Sequence, residues 1–240
     1  MTHSKNETMS IGWCDNGLVD GRFVDGLIST IMTANLHNIK ITNKVRVSGN
    51  QIGRQRQILF DNWADKIKTD WLLWVDSDIV LTLDVLKMLW DAADQLTKPV
   101  VVGLYFVSNE NEQSLMQPLP SIFNETKDEH RISYINPIPE NKIIKIDCAG
   151  FGIVLMHKTV INKMRKNNLG YSLFAEKEYL DEKYVSEDIV FFRKLKEIGI
   201  QLYAHTGAVV QHMKRFSFDK NYYDVYWNAK EQKIFTKELN

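Results

Sequence analysis

The chain of 240 residues is short of several things at once. It has only two cysteines, Cys14 and Cys148, with no CxxC spacing, so a disulfide scaffold, a thiolate zinc site and a dithiol redox centre are all excluded. That usage fits a reducing compartment. Net charge is missing too: 30 Lys plus Arg balance 30 Asp plus Glu, which argues against a general nucleic-acid binder or a protein drawn to anionic membranes. No apolar run is long enough to span a bilayer, and the polar start MTHSKNETMS lacks a signal-peptide core, so the expectation is a soluble, cytoplasmic protein. No internal repeat appears, which excludes a solenoid.

What remains is a composition, 44% hydrophobic and 25% charged, that can bury a full core without staples. Strand-like runs at Met9–Cys14, Val45–Val47, Trp71–Val75 and Val100–Val107 alternate with helical periodicity over Phe23–His37, from Ile52 through Leu59 and Trp63 to Ile67, and over Leu83–Leu96. A βαβαβαβ order predicts an α/β fold with a mainly parallel central sheet flanked by helices. Ligands of such sheets gather at the carboxyl ends of the strands. Asp15, the Ser48–Asn50 turn and Asp76–Asp78 all fall there. Four of the five prolines lie between Ser108 and Asn141, a stretch that reads as a long irregular excursion, either a lid or a substrate loop. Regular structure resumes over Lys142–Met156, and a helix follows over Lys158–Lys166. Ser186 is placed to cap a further helix, with Glu187 and Asp188 in its first turn. A final strand over Ala208–His212 leads into a basic, aromatic tail.

The stretch WLLWVDSDIVL, Trp71–Leu81, carries the most chemistry. Were the strand extended through Asp76, Ser77 and Asp78, residues i and i+2 would face one side, and two like charges there need a cation. Oxygen ligands few in number suit Mg²⁺ or Mn²⁺ completed by substrate phosphates. An EF-hand is excluded, since Leu81 stands where that loop requires glycine. Turn chemistry is the plain alternative, because Asp is common at strand ends. The motif also satisfies DxDx[TV] of the haloacid-dehalogenase-like phosphatases, which would make Asp76 a nucleophile and Asp78 a general acid. That family's motif opens its catalytic domain, whereas here βα units precede it. From Lys40 to Phe60 there are five cations and no acid, and Arg56 is placed to grip phosphate in bidentate fashion.

The succession NQIGRQRQILFDNW, TDWLLWVDSDIVLTLDVLKML, IDCAGFGIVLMHKTV, SEDIVFFRKLKEIGI and VVQHMKRF resembles the GT-A fold glycosyltransferases, in particular family 2-like enzymes of microbes and phages. The resemblance covers about residues 9 to 215. It implies a single GT-A domain over 1–240, with a nucleotide-sugar half at 9–107, an acceptor half at 108–215 and a C-terminal tail at 216–240. It implies a metal-dependent hexosyltransferase that takes a UDP- or GDP-sugar and passes the sugar to a glycan or small hydroxyl acceptor.

By that resemblance Asp78 ligates Mn²⁺ or Mg²⁺, Asp76 serves the metal or the donor's ribose, and His212 is a further metal ligand. Trp13, Cys14, Asp15, Arg56, Asp76 and Ser77 line the donor. Asp188 is the general base and Glu187 its neighbour toward the acceptor. Gly150, Phe151 and Gly152 border the acceptor, with Tyr171, Phe174 and Tyr179 supplying aromatic faces, while His157 reads as a helix-edge residue. A sugar-nucleotide or glycan-binding module without catalysis is the non-enzymatic alternative.

Overall fold

The computed structural model describes residues 7–108, 118–127, 131–178, 184–214 and the single positions 220, 223, 224, 227 and 228. Tyr179 and most of the tail lie outside them. The elements run β1 (Thr8–Asp15), α1 (Gly21–Ala34), β2 (Lys40–Ser48), α2 (Ile52–Asp61), β3 (Trp71–Val75), β4 (Ile79–Val80), α3 (Leu83–Ala92), β5 (Val100–Leu104), β6 (Phe106–Ser108), β7 (Pro118–Pro120), β8 (Ile122–Glu125) and β9 (Ile132–Tyr134). Then follow β10 (Ile143–Ile146), β11 (Cys148–Ala149), β12 (Ile153–His157), α4 (Thr159–Lys166), β13 (Lys177–Glu178), β14 (Tyr184–Val185), α5 (Glu187–Glu197), β15 (Leu202–Val209) and β16 (Gln211–His212).

Seven strands form the central sheet in the order β10-β15-β5-β12-β3-β1-β2. β12 is antiparallel to both neighbours and β10 is antiparallel to β15, while β1, β2, β3, β5 and β15 point the same way. The expected mainly parallel sheet is therefore present, with β12 inserted against the grain between β3 and β5.

Alternation along the central strands builds two cores. Leu72 and Trp74 of β3, Val100 and Val102 of β5, and Val154 and Met156 of β12 join one cluster with α2, α4 and α5. Trp71, Leu73, Val75, Val101, Ile153 and Leu155 join the other with α1 and α3. Strands buried on both faces read as continuous apolar runs, which is why WLLWV stood out in the sequence. β2 is the edge strand and shows Lys40, Asn43, Lys44 and Arg46 to solvent. An edge tolerates charge on its open side, so apolar patterning exposed only Val45–Val47 of a nine-residue strand.

Several boundaries depart from the sequence reading. Ile28 and Met32 recur at helical spacing in α1 with Phe23 and Leu27, yet they are 52% and 74% exposed, and the buried stripe is Phe23, Leu27, Thr30 and Ala34. Helix α2 passes into a π-helical turn at Asn62–Ile67 that ends on Lys68 at φ 60°. Part of the 108–141 excursion is ordered: β7 pairs with β6, and β8 pairs with β9 and β11. Its short, Pro-flanked strands are below the length at which periodicity is legible. His157 is buried at 2%, with its ring 4.6 Å from that of Trp71. Both cysteines are free and buried. Among the described residues no helix is long and apolar enough to cross a membrane.

Gly26, in the middle of α1, lets that helix close on the segment after the DSD motif: a Cβ there would stand 2.5 Å from the Leu81 carbonyl oxygen. Alanine would add about 1 kcal/mol of helix propensity. The overpacking, against backbone that cannot rotate away, costs about 1–3 kcal/mol. Gly26→Ala is therefore expected to lower the urea midpoint, and a raised midpoint would show that α1 can retreat freely.

Candidate functional site

Strand β3 stops at Val75, one residue before the acids. Asp76 N–H still donates to the Gly152 carbonyl at 2.9 Å, and then the chain turns, with Ile79 N–H donating to the Asp76 carbonyl at 3.0 Å. The DSD segment is thus a turn and not an extended strand, and this changes where its side chains point. Asp76 faces Arg56: both carboxylate oxygens lie near Nη2, at 3.1 and 3.3 Å. Asp78 has a different partner, His212.

β4 and β16 form the clamp that brings Asp78 to His212. Their antiparallel pairing sets His212 opposite Ile79, and Met213 N–H donates to the Asp78 carbonyl at 2.7 Å. His212 Nε2 then lies 3.2 Å from Asp78 Oδ2, while Nδ1 lies 2.9 Å from the Phe106 carbonyl oxygen. A carbonyl only accepts, so Nδ1 carries the hydrogen and Nε2 is the nitrogen turned to the carboxylate. Lys214 Nζ is 3.5 Å from the same Asp78 oxygen. Burial pushes the Asp78 carboxyl up, but His212 and Lys214 together outweigh it and hold it below its usual range.

Which groups could hold a divalent cation is decided by this pair. Neighbouring vertices of an octahedron with ligand bonds near 2.1 Å lie about 3 Å apart, close to the 3.2 Å between Asp78 Oδ2 and His212 Nε2. The carbonyl behind Nδ1 also orients the ring as the outer partner of a ligating histidine does. Among the described residues no group of three or more His, Cys, Asp or Glu forms a cage. The pair fits a cation whose other positions belong to water and to a substrate's oxygens, as Mg²⁺ and Mn²⁺ accept.

Arg56 departs from the role expected of it. Instead of facing an open phosphate site it is buried at 5%, with Nη1 donating to Glu187 Oε1 at 2.5 Å and Nη2 to Asp76. Burial works against its charge, and Asp76, Glu187 and Asp188 outweigh that burial. One cation among three acids leaves a deficit. The Asp76 carboxyl is raised by burial against the pull of Arg56, with Asp78 adding to the rise. Glu187 is raised for the same reasons, with Asp188 as its like-charged neighbour.

α5 begins at Glu187 as expected, but Ser186 does not cap it. Its hydroxyl donates to Asp188 Oδ1, the oxygen that also accepts from Ile189 N–H at 2.8 Å. Asp188 is partly exposed and has no salt-bridge partner among the described residues.

The glycine pair is also reassigned. A Cβ on Gly150 would stand 2.0 Å from Tyr105 Oη, and one on Gly152 2.7 Å from the Tyr105 ring. These glycines make room for Tyr105, whose hydroxyl accepts from Gly152 N–H at 3.2 Å and whose ring meets His212 edge-on at 5.1 Å. Phe151, expected beside an acceptor, is 1% exposed and packs on Trp74, Phe174, Phe191 and Phe192 beneath the Arg56 guanidinium. Phe174 is likewise buried, whereas Tyr171 is 94% exposed. Tyr105 and Lys214 are the site residues that sequence reasoning missed. Two glycines flanking one residue, opposite a strand that ends in tyrosine, were the available signal for the first.

At the end of β1, Trp13 is buried against Phe23, and Cys14 is buried on the opposite face with its thiol pushed up to about 12 by burial. Asp15 is enclosed: Arg46 Nε and Nη2 donate to its two oxygens at 2.6 and 2.9 Å, joined by Trp13 Nε1 and Gly17 N–H. Beside it a groove of about 510 Å³ opens along the Ser48–Gln51 turn, Arg54, Gln55 and Ile58. Gln55 spans this corner, donating to the carbonyls of Asp15 and Val47. A cavity of about 480 Å³ between Phe60 and Tyr171 shares no residue with the acid cluster.

Among solved structures the chain is similar to A197 from STIV, at TM-score 0.51 and 16% identity over 87% of this chain and 86% of that one. It is also similar to GalNAc-T7, crystallised with UDP, GalNAc and Mn²⁺, at TM-score 0.52 and 11% identity over 94% of this chain. The chain spans about half the length of GalNAc-T7, 48% of it. No family model and no curated protein matches the sequence. The fold is the GT-A fold of the nucleotide-diphospho-sugar transferases.

The Arg46–Asp15 pair makes one pH prediction. Arg46 hydrogen bonds, against burial, hold the Asp15 carboxyl well below its usual range. The pair's stabilisation is therefore complete above the unfolded Asp pKa of about 3.9 and is lost as pH falls below it toward the folded value. The difference in urea midpoint between wild type and Arg46→Gln is expected to stay level from neutral pH to about 5 and to shrink below about 4. A difference independent of pH would show that Arg46 contributes through packing.

Proposed function

We propose that the protein is a metal-dependent glycosyltransferase that moves a sugar from a nucleoside-diphosphate sugar to a hydroxyl acceptor. The observation that carries this reading is the Asp78–His212 pair, held 3.2 Å apart at the carboxyl end of the sheet of a GT-A fold. A divalent cation held by Asp78 and His212 would supply Lewis-acid stabilisation of the diphosphate as it leaves.

The protein's own groups divide the remaining work. The Ser48–Gln51 turn, with Arg54 exposed on the first turn of α2, borders the groove proposed for the nucleotide end of the donor. Asp15 is taken by Arg46, so in this reading it shapes that end by holding Arg46 and not by meeting the base itself. Ser77 stands on the DSD turn, its carbonyl 3.5 Å from Asp20 N–H, where it borders the donor. Asp188 is proposed as the base that takes the acceptor's proton, for which a placed carboxylate is worth about 10²- to 10⁴-fold. Ser186 O–H and Ile189 N–H fix one of its oxygens and thereby orient the other. Glu187, bound to Arg56, supports this turn from behind.

The phosphatase alternative needs an Asp76 oxygen free to attack phosphorus. Both are held at the Arg56 guanidinium, which favours the transferase.

Two substitutions test the assignment. In thermal shift, wild type is expected to be stabilised by Mn²⁺ together with UDP or GDP, and Asp78→Ala to lose that shift while keeping its melting temperature without ligand; an unchanged shift would remove Asp78 from the metal. Asp188→Asn is expected to keep nucleotide binding and lose about 10²-fold or more in transfer, and near-normal transfer would assign the proton to another group.

A further inference from the structure

Arg56 lies at the meeting of two segments that the proposed chemistry must keep in register, the DSD turn and the first turn of α5. The two are 111 residues apart between Asp76 and Glu187, and the guanidinium bonds both at once, Nη2 to Asp76 and Nη1 to Glu187. The surroundings are shaped for this. Gly53, one helical turn earlier on α2, allows the close approach: a Cβ there would stand 2.3 Å from the Phe174 carbonyl oxygen and 3.6 Å from Glu187 Cβ. Glycine inside a helix is otherwise disfavoured, so the contact gives it a reason. Phe151 lies 4.8 Å beneath the guanidinium and closes that side against water. Nε is buried with no acceptor among the described residues, so the two carboxylates alone set the orientation of the fork.

We propose that Arg56 is a positioning residue that couples the DSD turn to the start of α5, so that movement of the segment carrying Asp78 is passed to the segment carrying Asp188. The proposal rests on the transferase reading for the meaning of the two ends, cation and donor at one and acceptor at the other. The coupling is a property of the protein without ligand. A phosphate-binding arginine would present its fork to solvent, and this one spends it on two side chains from different parts of the chain. Among the described residues Glu187 has no bond to the DSD turn except through Arg56, which gives the proposal a distinctive signature.

The test is amide hydrogen exchange at single residues in the ligand-free protein. Glu187→Gln is expected to speed exchange at Ile79 and Met213, the amides that hold the DSD turn, by about tenfold, the scale of coupling within one hydrogen-bond network. Amides of β12 should be unchanged, which separates coupling from general destabilisation. In an Arg56→Met background the same substitution should add nothing, and Arg56→Lys, which keeps the charge without the fork, should fall between. If Glu187→Gln leaves Ile79 and Met213 unaltered, or alters them equally without Arg56, the coupling is overturned. Should Arg56→Met fail to fold, Arg56→Lys carries the comparison. Adding Mn²⁺ with UDP or GDP in the same spectra tests the other reading: no protection at Ile79 would overturn the metal-dependent site and leave the coupling result standing.

Discussion

The site depends on a shortage of positive charge at the carboxyl end of the sheet. Asp76, Glu187 and Asp188 surround one guanidinium, and Asp78 adds a fourth acid served by a histidine and a half-exposed lysine. Arg56 keeps its charge at any working pH, and Asp76 and Asp78 keep part of their side chains in solvent, 30% and 39% exposed. Burial already raises Asp76 and Glu187, which is the protein's partial answer. Asp78 is held low instead, beside His212 and Lys214. The arrangement separates two tasks that the sequence placed one residue apart. Asp76 holds Arg56, and Asp78 meets His212 and Lys214.

That separation follows from backbone hydrogen bonding. Had β3 continued as an extended strand, Asp76 and Asp78 would share one face, and their repulsion would fall on a single pocket. Instead Gly152 takes the last ladder bond at Asp76, and the turn closed by Ile79 N–H gives the next carboxylate a different partner, His212. β4, only two residues long, then pairs with β16 and brings in His212 from the far end of the chain. The Asp78–His212 pair is thus fixed by a two-residue ribbon and not by a major element of the sheet. Such ribbons leave almost no periodic trace, since two residues show neither alternation nor propensity.

The same logic explains what was legible in the sequence and what was not. WLLWV, VVVGL and IVLM are buried on both faces, so their composition alone places them at the centre of a sheet, and DSD, SED and His212 could be located relative to those strand ends. Orientation was not legible. Phe151 sits between two glycines as a sugar-contacting residue would, yet the glycines serve Tyr105 and the phenyl ring serves Arg56. Arg56 has the residue type and the position of a phosphate ligand, and only its burial shows that two carboxylates have claimed it. Asp15 is enclosed in the same way by Arg46, whose place on an edge strand gave no hint of a partner two strands' worth of sequence earlier. In each case the residue type fits the function and the contact partner decides it.

The Asp15 side chain is fully enclosed. Each of its oxygens accepts two donors, one from Arg46 and one from Trp13 or Gly17. The carboxylate is therefore covered, and what stays open beside it is a guanidinium 48% exposed. The acid contributes by holding that guanidinium still.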